Sequence, residues 1–145
     1  LYTNAFGRIK SGLASGNHFE VIFLVDSIIT DRLLAITQTL MHTENEHYER
    51  ASVGSAADGV KVQVIEKGLV LPVDLNKQMN ALSAWIPKRN RAAHGFVYVS
   101  PQTVGISLEQ REQELADAAE EGAELARLIA DSSKKFIDQI KKNKK

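Results

Sequence analysis

Apolar residues return at helical spacing over two long stretches of this chain. From Phe19 to Met41 they recur every three or four positions, which is typical of an α-helix. Further apolar residues widen this stripe around most of the helix. We therefore expect it to be buried on more than one side, either at the centre of a bundle or in a dimer interface. Asn17 is the expected N-cap, with Glu20 as its capping-box partner.

A second long helix is predicted over residues 107–141. Apolar and small residues recur there every seven positions, which produces a seam like that of a coiled coil. The seam positions are Leu108, Leu115, Gly122, Ile129 and Phe136, with Ala118, Leu125 and Ser132 between them. We expect Ser107 to cap this helix with Gln110. The basic tail of residues 141–145 complements the helix dipole and is expected to fray.

Three segments outside these helices show no long periodicity. Residues 1–17 are interpreted as a short helix or an arm, because they are polar and contain several glycines. Residues 42–59 are interpreted as a helix end followed by a loop, and residues 96–101 as a short extended connector. These segments therefore separate the predicted helices.

The segment that starts at Val60 has two interpretations. Val60, Val62 and Val64 alternate with polar residues, which by pattern alone favours a strand. No other segment offers this strand a partner, and a lone strand would leave its backbone groups unpaired. We therefore favour a helix over residues 56–67 that ends at Gly68 in a left-handed cap.

Another helix is predicted between Pro72, which breaks the chain, and Gly95, which is its expected end. Asp74 is the expected N-cap. The apolar stripe consists of Leu75, Met79, Leu82 and Ile86. Pro87 lacks a backbone donor and disfavours helical geometry at the residue before it. We therefore expect a kink near Pro87, or a break with a new helix starting there.

Length and composition indicate a single all-α domain. The chain has 145 residues, with no internal repeat. The lack of cysteine excludes a disulfide framework and a thiolate zinc site, and fits a cytoplasmic location. The longest apolar run, Val21 to Val25, is too short to span a bilayer, and no secretory leader is visible. With 18 basic and 18 acidic residues, the formal net charge is zero, so nucleic acid would have to bind at a local site.

The most unusual local composition lies between Arg89 and Gly95, where the sequence reads RNRAAHG. Asn90 and His94 are four residues apart, and Arg91 and His94 are three apart, so each pair shares one helix face. Arg89 is five residues from His94, about 140° around an ideal helix. The spacing therefore permits a cluster of Arg89, Asn90 and His94 but does not enforce it.

These residue types suit the cleavage of RNA without a metal ion. Arginine offers a planar fork of donors for phosphate, and histidine gains or loses a proton near neutral pH. A base would take the 2′-hydroxyl proton while the cation stabilises the charged phosphorane. The alternative is structural: Arg89 and Arg91 bridge acidic residues on adjacent helices, and His94 caps a helix end.

The segment resembles the Arg-polar-x3-6-His motif of HEPN domains, with Asn90 at the polar position. The flanking helices and the ending at residues 67–69 are also similar, and the similarity extends over residues 18–140. It implies an up-down helical bundle that forms a homodimer, in which two motifs create a composite ribonuclease site that uses no metal or other cofactor. It also implies an RNA substrate, a role as a toxin or in phage defence, and an antitoxin or defence-system partner.

The resemblance assigns roles to single residues of the motif. Arg89 would bind the scissile phosphate, and His94 would act as general acid or base. Asn90 would orient the substrate or hold the site, and Arg91 would bind substrate or substitute for Arg89. These four residues are the predicted site.

Two further positions of the family pattern bear on this chain. An acidic residue on the first long helix often accompanies the motif, and either Asp26 or Asp31 can fill that place. Some HEPN toxins carry a tyrosine two residues after the histidine, which a paired nucleotidyltransferase adenylylates. That position is Phe96 here, and Tyr98 lies two residues further on, so this partner is not expected.

The other histidines and the tryptophan are interpreted as surface or core residues. His42 and His47 are five residues apart, whereas metal-binding pairs on a helix are three or four apart. Trp85 is expected in the core, with stacking on a base as the alternative. The rival to the nuclease hypothesis is a non-catalytic helical module for dimerisation or scaffolding, which the neutral net charge favours.

Overall fold

The computed structural model describes residues 2–42, 51–95 and 105–144, and these ranges contain five α-helices and no strand. The all-α prediction is therefore confirmed for the described part of the chain. None of these helices is both long enough and apolar enough to cross a membrane. Residues 96–101, with Phe96 and Tyr98, and also His47 lie outside the described ranges. The helices are α1 (Thr3–Ser15), α2 (His18–Met41), α3 (Val53–Glu66), α4 (Val73–His94) and α5 (Leu108–Asn143).

The two long helices form the centre of the molecule. α2 packs against α1, α3 and α5, and α5 packs against α4 as well. The heptad seam of α5 lies in the core, except that Leu108 at its start is 64% exposed and Ser132 is only partly buried. The predicted bounds of α2 and α5 agree with the structure within two residues at each end. The Ser107 side chain accepts a hydrogen bond from the backbone of Gln110 at 3.1 Å, which confirms the predicted cap.

The Trp85 ring of α4 packs against the backbone of α5 at Gly122. The Trp85 ring is fully buried, and its Nε1–H donates to the carbonyl of Ala118 at 2.8 Å. A Cβ at position 122 would lie 2.6 Å from this ring and 3.1 Å from Val25 on α2. The missing side chain at Gly122 thus lets α2 and α4 both approach α5. The core interpretation of Trp85 is confirmed, and a fully buried ring cannot stack on a base.

The helices do not alternate strictly up and down as expected. Gly59 lies beside Thr37, and Leu69, just after α3, shares a groove with Leu40. Positions along α3 and α2 therefore increase together, so these two neighbouring helices run in the same direction.

α3 begins earlier than the sequence indicated but ends as predicted. Ser52 is the N-cap, and its side chain accepts a hydrogen bond from the Ser55 backbone at 3.1 Å. Residues 53–55 are thus helical, and the prediction of a loop there is wrong, whereas the helix favoured over residues 56–67 is confirmed. Gly68 has a φ of 64°, and the backbone of Leu69 donates to the carbonyl of Val64 at 2.9 Å. This is the Schellman arrangement of a left-handed C-cap.

One expectation about α4 is wrong, and one of the two alternatives at Pro87 is excluded. The helix begins at Val73 with Pro72 at the N-cap position, so Asp74 lies in the first turn and does not cap it. There it still interacts favourably with the helix dipole. α4 also continues through Pro87 without a break. Pro87 and Ser83, whose carbonyl loses its helical donor, are both exposed, so water can satisfy that carbonyl.

The ends of α2 and α5 differ in detail from the sequence expectations. Asn17 occupies the N-cap position of α2, but its side chain makes no capping bond to the backbone. Its amide donates instead to the Glu20 carboxylate at 2.7 Å, so the predicted capping box does not form. At the other end of the chain, α5 remains helical to Asn143, and Lys144 donates to the carbonyl of Thr39 at 2.9 Å. The basic end of α5 therefore contacts the end of α2.

We expect Gly122→Ala to destabilise the protein by roughly 1–3 kcal/mol, because its methyl group would overlap the Trp85 ring in a packed core. The measurement is the free energy of unfolding from denaturant titration followed by circular dichroism. The matched control is Gly7→Ala in α1, where no atom lies within 4 Å of an added Cβ. That variant should be stabilised by roughly 0.5–1 kcal/mol. Equal effects of the two substitutions would contradict this account of the core.

Candidate functional site

The motif lies in the last turns of α4. The orientation of this helix about its own axis determines the direction in which each motif residue points. Leu82, Trp85 and Ala92 are buried and define the face of α4 that packs on the bundle. At 100° per residue, Arg89 falls beside this buried face, whereas Asn90 and His94 fall on the opposite side and are exposed. A single chain therefore divides the motif between an inner arginine and an outer Asn–His pair.

Arg89 is held in place by α2 and by its own helix. Its guanidinium forms an ion pair with Asp26 on α2, and its side chain is only 17% exposed. The guanidinium carbon also lies 5.6 Å from the centre of the Trp85 ring, within the range of a cation–π interaction. The contact with Asp26 uses one terminal nitrogen, and the other makes no hydrogen bond with a residue in the described ranges. The side chain thus keeps a donor for a further acceptor.

Arg91 points to the other side of α4. It pairs with Glu114 on α5 at 3.1 Å, and its side chain is 52% exposed. Together, Arg89 and Arg91 bridge acidic residues on two adjacent helices, so this element of the structural alternative is confirmed. The expectation that Arg91 can substitute for Arg89 is not supported by the geometry of one chain, because the two guanidinium groups pair with different helices.

The end of α4 is fixed by a residue that the sequence did not single out. Arg111 on α5 donates from Nη1 to the carbonyl of Gly95 at 2.7 Å. Gly95 is the C-cap of α4, as predicted, but it has right-handed geometry with a φ of −58° and is buried. A cation at the carbonyl end of a helix is favourable. This contact holds the turn that carries His94.

The structure selects Asp26 from the two acidic residues that could accompany the motif. Asp31 accepts a hydrogen bond from the Tyr2 hydroxyl, and it pairs with its neighbour Arg32 at 3.3 Å. Burial and the contact with Asp31 raise the pKa of Tyr2 to about 12. Asp31 therefore joins α1 to α2, whereas Asp26 is the carboxylate that contacts the motif.

Asp26 is charged at a cost to folding, even though it has a cationic partner. Burial raises the pKa of Asp26 above its ordinary value, and the Arg89 guanidinium, which lowers it, offsets only part of that increase. Because the folded protein holds this proton to higher pH than the unfolded chain, the carboxyl contributes most to stability at low pH. That contribution is lost as the pH rises through the ordinary and then the raised pKa. The ion pair of Asp26 and Arg89 therefore fixes the position of the arginine more than it stabilises the fold.

A shallow surface groove runs from Arg89 along α2 to the start of α3. Its lining includes Phe23, Asp26 and Ser52. Phe23 is the most exposed aromatic side chain in the described ranges, at 70%. The groove therefore combines an exposed apolar ring, Phe23, with the mostly buried cation of Arg89. No three histidine or carboxylate side chains in the part of the chain described here lie together as a metal site requires.

Sequence reasoning found the motif but not its partners. Asp26 was one of two alternatives, and Glu114 and Arg111 were missed. All three pair with residues distant in sequence. Periodicity places Glu114 on the polar side of α5 but does not indicate which helix faces it. Only the relative rotation of α2, α4 and α5 could have identified these contacts.

Comparisons of this chain with protein-family models, with curated proteins and with solved structures give no match.

We expect the pKa of Asp26 to rise in Arg89→Ala, because the substitution removes the guanidinium that lowers it. The measurement is a carboxyl ¹³C NMR titration of the parent and the variant. Lys88→Ala is the matched control, since Lys88 pairs with the exposed Glu121 and not with Asp26. An Asp26 pKa that is the same in the parent and in Arg89→Ala would show that the ion pair does not form in solution.

Proposed function

We propose that this chain is a metal-independent endoribonuclease of the HEPN type, acting as a homodimer with Arg89 and His94 as its catalytic residues. The observation that carries the proposal is the motif in its structural setting. Arg89 is positioned by Asp26 and Trp85 with one terminal nitrogen left for a phosphate oxygen, and His94 stands exposed on the same helix end. A toxin or phage-defence role, with an antitoxin as partner, belongs to the same proposal.

The placement of Arg89 supports a phosphate-binding role. A guanidinium that is fixed by a carboxylate and an aromatic ring loses less conformational freedom when it binds phosphate than a mobile surface arginine does. Low exposure also weakens competition from water, so the charge acts more strongly on a developing phosphorane. Arg91 is exposed and paired with Glu114, which suits a peripheral contact with the RNA backbone.

The division of the motif within one chain supports a composite site. Arg89 and His94 lie about 140° apart around α4, so one chain does not direct both side chains at the same phosphate. A second copy can bring its own His94 and Asn90 toward Arg89. The exposed ring of Phe23, at 70%, lies in the groove beside Arg89 and gives that contact an apolar element.

The proposed reaction is an internal transfer. The 2′-oxygen forms a bond to phosphorus as a base, His94 in this assignment, takes its proton. The bond from phosphorus to the 5′-oxygen then breaks, and a proton returns to that oxygen. The products are a 2′,3′-cyclic phosphate and a 5′-hydroxyl. Arg89 stabilises the charge on the phosphorane, and Asn90 orients the substrate.

We expect Arg89→Ala and His94→Ala each to lower the rate of RNA cleavage by roughly 100- to 10,000-fold, as for the loss of a catalytic cation or general base. The assay follows a labelled RNA oligonucleotide, and a DNA oligonucleotide of the same sequence should remain intact because it lacks the 2′-hydroxyl. Arg91→Ala should lose less than about fivefold, since an exposed charge contributes little.

Arg127→Ala is the control for this experiment, because Arg127 pairs with Glu124 on an exposed part of α5. It should cleave RNA as the parent does. If the parent leaves the RNA intact, or if Arg89→Ala and His94→Ala cleave it at the parental rate, the nuclease proposal is wrong.

A mixture of the two inactive variants tests whether the site is shared between chains. In a dimer of one Arg89→Ala chain and one His94→Ala chain, one of the two composite sites keeps both residues. Random pairing makes half of the dimers mixed, so about a quarter of the parental activity should return. The measurement is the cleavage rate after co-refolding of equal amounts. A site contained within one chain would give no recovery.

The rival function is a non-catalytic helical module for dimerisation or scaffolding. The observation that favours it is that both arginines of the motif already bind carboxylates of the same chain, Asp26 and Glu114. Both proposed functions include a homodimer, but only the first includes RNA cleavage. The cleavage assay therefore separates the two functions, and the oligomeric state does not.

A further inference from the structure

A second surface, far from the motif, combines apolar side chains with lysines. It is a groove between the segment after α3 and the C-terminal end of α5, and α2 closes it at one end. We call it the Leu69 groove. Leu69 and Val70 form one wall, and Phe136 and Ile140 of α5 lie along the other. His42 also lines it, about 16 residues and so roughly 24 Å along α2 from Asp26. The groove is therefore separate from the candidate nuclease site.

The apolar part of this groove is unusually exposed. Val70 is 87% exposed and Leu69 is 40% exposed, although both are large apolar residues. Val62 and Ile65, one turn apart on α3, are 50% and 78% exposed, and Val73 at the start of α4 is 84% exposed. Single apolar residues are normal on a surface, but several that are close in sequence, with Leu69 and Val70 among them in the lining of one groove, mark a contact site.

Lysines line the rim of the Leu69 groove. Lys67 and Lys144 lie in its lining, and Lys141 and Lys142 belong to the last turn of α5. None of these four forms an ion pair with a residue in the described ranges. Lys144 donates to the Thr39 carbonyl and lies 3.0 Å from a ring nitrogen of His42, and neither partner is anionic. The rim is therefore positively charged, and none of these contacts neutralises it.

We propose that the Leu69 groove binds an acidic amphipathic segment of a partner protein. Its apolar side chains would lie over Leu69 and Val70, and its carboxylates would meet the lysines of the rim. An apolar strip with flanking charges of one sign is how grooves recognise amphipathic peptides of the opposite sign. The proposal is independent of whether the motif at Arg89 cleaves RNA.

Two other occupants fit the groove less well. A second copy in a symmetric dimer would bring equivalent surfaces together across the axis, which places lysines against lysines. RNA would find cations for its phosphates, but the Phe136 ring in the groove wall is only 4% exposed and is too buried to stack on a base. RNA would also leave the exposed Val70 without an apolar partner. An acidic amphipathic peptide satisfies both the apolar strip and the charge.

The test uses two synthetic peptides of about 15 residues, a length at which helix formation becomes feasible. One carries leucine at every third or fourth position and glutamate elsewhere, and the other has glutamine in place of each glutamate. We expect the acidic peptide to bind at least roughly tenfold more tightly than the neutral one. In ¹⁵N NMR spectra of the full chain, its addition should shift the amide signals of Leu69, Val70 and Ile140.

Variants of the full chain locate the binding. Val70→Asp should lower the affinity for the acidic peptide at least roughly tenfold, and Lys67→Ala combined with Lys144→Ala should weaken it in a salt-dependent way. Because Val70 is exposed, its substitution leaves the core intact, which circular dichroism checks. The matched control is Lys134→Ala, since Lys134 already pairs with Asp138, and it should bind as the parent does.

Three results would overturn the proposal. The first is equal binding of both peptides, or of the acidic peptide by the parent and by Val70→Asp. The second is a fall in the mass of the parent assembly on sedimentation of Val70→Asp, which would make a second copy the occupant. The third is binding of an RNA oligonucleotide that the lysine substitutions abolish while peptide binding does not change.

Discussion

The contact of the Trp85 ring with the backbone of α5 at Gly122 determines how the rest of the structure is arranged. The indole donates to the Ala118 carbonyl and occupies the space that a side chain at 122 would need. This fixes α4 on α5 in both depth and rotation. Val25 of α2 approaches the same glycine. One absent side chain therefore allows three helices to meet, and any larger residue would force at least one of them away.

The candidate site follows from this contact. Trp85 lies one turn before Arg89, so once the ring is buried against α5, the arginine must stand at the edge of α4 that faces α2. There it meets Asp26 and stacks against the ring. The same rotation places Arg91 toward Glu114 and His94 toward solvent. The packing of one core residue thus directs the side chains of the motif to three different sides of α4.

Periodic residues were predictable, and contacts between helices were not. The stripe of α2 and the seam of α5 specify their own helices, because burial on one side requires apolar residues at helical spacing. Gly68 was predictable for a similar local reason, since it adopts a left-handed conformation that other residues rarely take. The start of α3 at Ser52 was missed because its first turns are short of large apolar residues. The parallel course of α2 and α3, and the choice of Asp26 over Asp31, depend on tertiary packing that no local pattern carries.

The zero net charge of the chain conceals a strong separation of charge along α5. Residues 108–124 contain seven acidic residues and one basic residue, whereas residues 125–144 contain six basic and two acidic residues. This order favours the helix dipole at both ends, but it also gives the bundle two unlike surfaces. The acidic half faces the motif end of α4, where Glu114 and Glu121 pair with Arg91 and Lys88. The basic half ends at the Leu69 groove. The net charge of the chain therefore says little about its partners, because the two ends of α5 have electrostatic potentials of opposite sign. A charged partner that is attracted to one end is repelled by the other.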